Sequence, residues 1–114
     1  MADTAEFVEG LFLTSLAQGT VVDLFTRNRG YRIEYLGGDR VRISGHPQLC
    51  PYPTLARVDG SQKVSGEITR GFIARTERLV FRLADNERPV VTSEITDIRV
   101  RPGRLWPEDQ QTQV

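Results

Sequence analysis

Residues 31–43 alternate between apolar and polar character with a period of two, and a glycine pair interrupts the alternation. Tyr31, Ile33 and Tyr35 fall on one face, Arg32 and Glu34 on the other. After Gly37-Gly38-Asp39, Val41 and Ile43 rejoin the apolar face while Arg40 and Arg42 take the polar one. A period of two sends successive side chains to opposite faces of a strand. Gly-Gly-Asp between two such runs is the chemistry of a tight turn. The segment is therefore predicted to be a β-hairpin with Tyr31, Tyr35 and their aliphatic neighbours on the core side.

The same period recurs through most of the chain. Thr20–Thr26 is rich in β-branched residues, and Arg78–Leu83 sets Leu79, Phe81 and Leu83 on one face. Thr54–Val58 reads as a short strand ended by Asp59-Gly60-Ser61. Gly66–Ala74 reads as a strand with a bulge or close approach at Gly71. Segments 89–93 and 94–100 form a last strand or pair of strands, after a turn at Ala84-Asp85-Asn86-Glu87. Three prolines within 47–53 remove backbone donors and predict a loop. Only the N-terminal stretch differs. Val8, Leu11, Phe12, Ser15 and Leu16 recur at helical spacing behind Asp3 and Glu6, which resemble a capping box. That spacing predicts a helix from about Thr4 to Ala17, despite the cost of Gly10.

The expected fold is thus mainly β: an N-terminal α-helix followed by a small antiparallel β-barrel or strongly bent sheet of six to seven strands. Residues 1–103 are read as one domain and 104–114 as a tail, partly disordered. Expected core positions include Val8, Leu11, Phe12, Leu16, Val22, Leu24, Ile33, Val41, Ile43, Ile68, Leu79, Phe81, Ile95 and Ile98.

The order of a helix, Leu16-x-x-Gly19 leading into a strand, Gly66-x-Ile68, Leu79-Val80-Phe81-Arg82-Leu83 and Ser93-x-Ile95-x-x-Ile98-x-Val100 resembles the layout of Sm-like small β-barrels. The likeness covers residues 5–25 and 66–102 and implies that 26–65 is an insertion. The nucleotide-binding signature residues of that family are absent. A shared fold would not carry a shared function.

Hydrophobic residues make up 39% and charged residues 26% of the 114, a soluble globular balance rather than a disordered one. The apolar runs fall short of the roughly 18 residues that a membrane span requires, so no membrane association is expected. The N-terminus lacks a basic, apolar leader, which favours a cytoplasmic location. Fourteen of the fifteen basic residues are Arg, the bias of a GC-rich, bacterial-like composition. The net charge is zero, but residues 1–25 carry −4 and residues 26–58 carry +4. Such segregation suits pairing within the chain or between two copies.

Few residues offer chemistry. His46 and Cys50 are the single His and single Cys. A structural zinc site needs about four such ligands, and cysteine catalysis needs an orienting group and an oxyanion hole. Cys50 is read as a buried structural residue and His46 as a partner of its own loop. No catalytic residue, metal ligand or cofactor is expected. Arg27, Arg29, Arg32, Arg40 and Arg42 form the candidate contact surface for a partner or a nucleic acid. Replacing Arg32, Arg40 and Arg42 together should leave stability nearly unchanged. Trp106 is a candidate interface anchor. The first reading is a non-catalytic binding or self-association domain, most simply a homodimer formed through free strand edges. The alternative is RNA or DNA binding through the arginines of the 27–42 hairpin.

Overall fold

The computed structural model describes residues 5–102. Ten strands occur in it: β1 Glu6–Phe7, β2 Gly10–Phe12, β3 Val21–Thr26, β4 Gly30–Gly37, β5 Arg40–Ser44, β6 Thr54–Gln62, β7 Ile68–Arg70, β8 Phe72–Ala74, β9 Arg78–Leu83 and β10 Val90–Arg101. Six of them close into an antiparallel barrel in the order β3-β4-β5-β6-β9-β10, with β10 returning to β3. The two long strands make closure possible. β10 pairs with β9 through Val90–Glu94 and with β3 through Ile95–Arg101. β6 lies against β5 on one side and β9 on the other.

The barrel interior follows from the period-two pattern. Val22 and Leu24, Ile33, Val41 and Ile43, Val58, Leu79 and Phe81, and Ile95 and Ile98 are all buried there. Tyr31 and Tyr35 are buried as expected, and the Tyr35 hydroxyl donates to the Gly38 carbonyl at 2.9 Å, which closes the hairpin turn. Phe12 and Ile68 are not core residues: both sit on short outlying strands and are exposed.

The expected N-terminal helix does not form. In its place stand β1, β2 and a single 3-10 turn at Leu13–Ser15. The backbone here is satisfied from outside. Glu6 and Phe7 pair with Val100 and Arg99, Val8 N–H donates to the Ile98 carbonyl at 3.0 Å, and Leu11 pairs with Ile73. Leu11 and Leu13 are buried while Phe12 between them is exposed, so the same apolar residues also fit a period of two. Gly10, a fault in a helix, is a requirement of the ribbon. A Cβ there would lie 2.8 Å from the Phe72 ring.

Two further expectations change. Residues 26–65 are no insertion, because they supply β4, β5 and β6, half of the barrel. With the helix also absent, the Sm-like layout does not describe this chain. Nor does β6 end at Asp59-Gly60-Ser61; it runs on to Gln62 through a bulge between Val58 and Gly60. Gly60 has φ +145°, and a Cβ would collide with the Thr69 carbonyl of β7. Glycine here lets the strand bend and continue. Segment 66–74 in turn breaks at Gly71 into β7 and β8.

Candidate functional site

The hairpin β4–β5 divides the five predicted arginines. Arg27 and Arg29 lie in the turn before β4, whereas Arg40 lies beyond its far end, on the order of 20 Å along the strand. Arg27 is paired with Glu94 across to β10, Nε to Oε1 at 3.1 Å. Arg29 is half-buried, and its charge acts on Tyr31, His46 and Cys50. Arg32 is not free either. Its Nε donates to Asp23 Oδ1 at 2.9 Å, and the same carboxylate takes Arg99 at 3.1 Å and Arg101 at 3.0 Å. Burial pushes the Asp23 carboxyl up. Hydrogen bonds from Arg32 and Arg99, with the charges of Arg32 and Arg101, outweigh it and hold the group below its ordinary range.

Arg40 and Arg42 instead join residues the hairpin does not contain. Strand register sets Arg40 opposite Arg57 on β6, and Arg57 opposite Arg82 on β9. The three arginines form one row across the outer face of three strands. Two residues further along β5 and β6, Arg42 stands opposite Leu55, and Ala84 N–H donates to the Leu55 carbonyl at 3.0 Å. These residues line a groove of about 830 Å³, with Leu36 and Glu87 also on its wall. Arg42 is paired with Glu34 at 3.3 Å and Arg82 with Asp59 at 3.0 Å. Among the described residues, Arg40 and Arg57 have neither an ion pair nor a side-chain hydrogen bond. Like charges directly opposite one another destabilise a sheet, so this row is a local cost that the fold carries.

Different arginines therefore have different roles. Arg40→Gln should change stability by no more than about 0.5 kcal/mol. Arg32→Gln should cost about 1 kcal/mol, a figure discounted because the Arg32 side chain is mostly in water. Chemical denaturation of the two variants measures the difference. The burial of Asp23 beneath Arg32 argues against a nearly neutral outcome when Arg32, Arg40 and Arg42 are replaced together.

His46 and Cys50 close a tight turn over Pro47-Gln48-Leu49 at the start of the proline loop. Cys50 N–H donates to the His46 carbonyl at 3.0 Å, and Gly45 N–H donates to the Cys50 carbonyl at 2.9 Å. His46 Nδ1 accepts from the backbone N–H groups of Gln48 and Leu49 at 3.2 and 3.1 Å. The ring is thus used as an acceptor inside its own turn. Burial and the charge of Arg29 hold the imidazole below its usual pKa, and burial pushes the Cys50 thiol up. Both shifts favour the neutral forms, the opposite of a thiolate–imidazolium pair. Among the described residues no three His, Cys, Asp or Glu side chains converge on a point that would hold a metal ion. No helix among them is long and apolar enough to cross a membrane. Trp106 and the 104–114 tail lie outside the described residues.

Arg57 and Arg82 were not among the predicted site residues, although both lie in segments legible as strands. Their proximity depends on the pairing of β6 with β9, which are separated in sequence by β7 and β8. No family model matches the sequence, and neither the curated proteins nor the solved structures provide a significant match.

Proposed function

We propose that this chain is a non-catalytic binding domain that holds an anionic ligand in the groove across β5, β6 and β9. The observation that carries the reading is the row Arg40–Arg57–Arg82, in which Arg40 and Arg57 have no carboxylate partner among the described residues. Guanidinium groups match carboxylate and phosphate geometry with paired donors. Proteins tend to break a local rule, here like charges side by side, where function requires it. The alternative, RNA or DNA held by the hairpin arginines, has less support. Stacking needs exposed rings. Tyr31 and Tyr35 point into the core, and among the described residues no aromatic side chain, the exposed Phe25 and Tyr52 included, lines the groove. Self-association through strand edges also loses support. Barrel closure leaves edges on β1, β7 and the β2–β8 ribbon, with strands of at most three residues.

Titration of isotopically labelled protein with inorganic pyrophosphate at low ionic strength tests this reading by NMR. Saturable shifts should cluster at Arg40, Leu55, Arg57 and Arg82, and the double variant Arg40→Gln/Arg57→Gln should abolish them. Shifts spread equally over Arg27, Arg70 and Arg78 would mean unspecific anion contact and would remove the proposal. An oligonucleotide bound at the 27–42 patch with a steep loss on added salt would put the nucleic-acid alternative in its place.

A further inference from the structure

We infer that the ligand of this groove is a small amphipathic organic anion, with its charged group or groups on one edge and an apolar body on the other. This rests on the anion-binding reading above and adds the chemical class of the ligand.

The groove floor consists of two parallel rows running across the strands. The first is cationic: Arg40, Arg57 and Arg82, one per strand. Neighbouring strands lie about 4.8 Å apart, so the row spans roughly 10 Å. The second row lies two residues further along, about 7 Å away at a rise of 3.3–3.4 Å per residue. It runs from Arg42 through Leu55 to Ala84, whereas Leu36, two residues beyond Glu34 on β4, stands at the Arg40 end of the first row. Arg42 is held at the far end by Glu34, so the centre of this row is apolar. Leu55 is 52% exposed although it sits between arginines. An inorganic anion would use the first row and leave the second in water. A ligand with a hydrocarbon or similar body would cover Leu55 and Ala84 while its anionic group reached Arg40 and Arg57.

Size points the same way. A volume of about 830 Å³ lies in the range of small-molecule sites, roughly 300–1,000 Å³. The paired arginines contribute fixed geometry. Asp59 and Glu34 hold Arg82 and Arg42 in place, which leaves Arg40 and Arg57 to close on the anion. Glu87, on the wall, disfavours a second negative charge at that end and offers an acceptor to a hydroxyl or amine there.

The test compares inorganic phosphate with hexyl phosphate by isothermal titration calorimetry on the full chain. Hexyl phosphate should bind about tenfold more tightly, the effect of burying roughly two methylene groups. Leu55→Asn should bring that ratio close to one and leave phosphate affinity unchanged, whereas Arg57→Gln should weaken both ligands. Leu55 and Arg57 are both on the exposed face, and the thermal melting point of each variant verifies its fold. Equal affinity for the two phosphates in the unaltered protein overturns the amphipathic ligand and leaves the anion groove standing. So does an unchanged ratio in Leu55→Asn. Binding of neither phosphate removes both readings. Arg57-dependent binding of a single-stranded oligonucleotide in preference to hexyl phosphate replaces this ligand class with nucleic acid.

Discussion

Phe81→Ala should remove about 4 kcal/mol of stability, the largest single effect in this fold. Phe81 has no solvent exposure and occupies the middle of β9, paired with Val58 of β6 on one side and Val90 of β10 on the other. Its ring meets Tyr31 from β4 edge-on, with centroids 6.0 Å apart. It therefore links the two sides of the barrel interior. Truncation loses the transfer energy of the ring and leaves a cavity that a closed barrel has little freedom to collapse. Against a typical total of about 5–15 kcal/mol, the loss is large. Urea denaturation measures it as a fall in midpoint at constant slope. A loss below about 1 kcal/mol would show that Phe81 does not hold the interior together.

Asp23→Asn should cost about 2–3 kcal/mol. Asp23 lies on the outer face of β3, at the seam where β10 closes the barrel, and receives Arg32 from β4 and Arg99 and Arg101 from β10. The substitution keeps the shape and removes the charge, leaving three guanidinium groups close together around a neutral amide. The pH dependence has a definite sign. The carboxyl pKa is lowered in the folded protein from its ordinary value of 3.8, so the folded state favours the ionised form. Its contribution is complete above the ordinary value and is lost as the pH falls through the lowered one. Unfolding free energies of the two proteins should therefore differ most near neutrality and converge in strong acid. A constant gap across that range would place the stabilisation outside Asp23 ionisation.

His46 contributes to acid sensitivity at higher pH. Its imidazole is held below the ordinary 6.5, so the unfolded chain protonates first and stability declines as the pH falls below that value. Protonation of Nδ1 would also displace the amides of Gln48 and Leu49, which couples the loop conformation to the same titration.

Much of the barrel was legible because its strands are amphipathic. The hairpin at 31–43 alternates cleanly and the structure places it where that alternation puts it, and the strand at 78–83 buries Leu79, Phe81 and Leu83 as alternation requires but also Val80 on its other face. The N-terminal stretch was misleading for a physical reason. Leu11, Phe12, Leu13 and Leu16 satisfy a helical spacing and a strand spacing at once, and short apolar runs do not distinguish the two. The open backbone groups of β8 and β10 decided between them. Gly10 was the one local sign against a helix.

The candidate site divides along the same line. Arg40 and Arg42 were visible as outward residues of a hairpin, because alternation assigns a face. Arg32 was assigned the same face by that alternation and Arg27 and Arg29 were grouped by proximity in sequence; the structure sets Arg27 and Arg29 the length of β4 away from Arg40 and ties Arg32 to Asp23. Arg57 lies on the strand that follows the hairpin and pairs with it, while Arg82 lies far along the chain on β9 and reaches the row through its pairing with β6.

By itself, the sequence determined the strand character of most segments, the side of each strand that is buried and the absence of a cysteine framework. These are local properties, set by the period of the side chains and by the turn chemistry of glycine and proline. The tertiary structure alone decided closure, the loss of the N-terminal helix and the assembly of an arginine row beside an apolar one. Those outcomes depend on which strands pair and in what register. That pairing joins residues distant in the chain, and no local pattern encodes it.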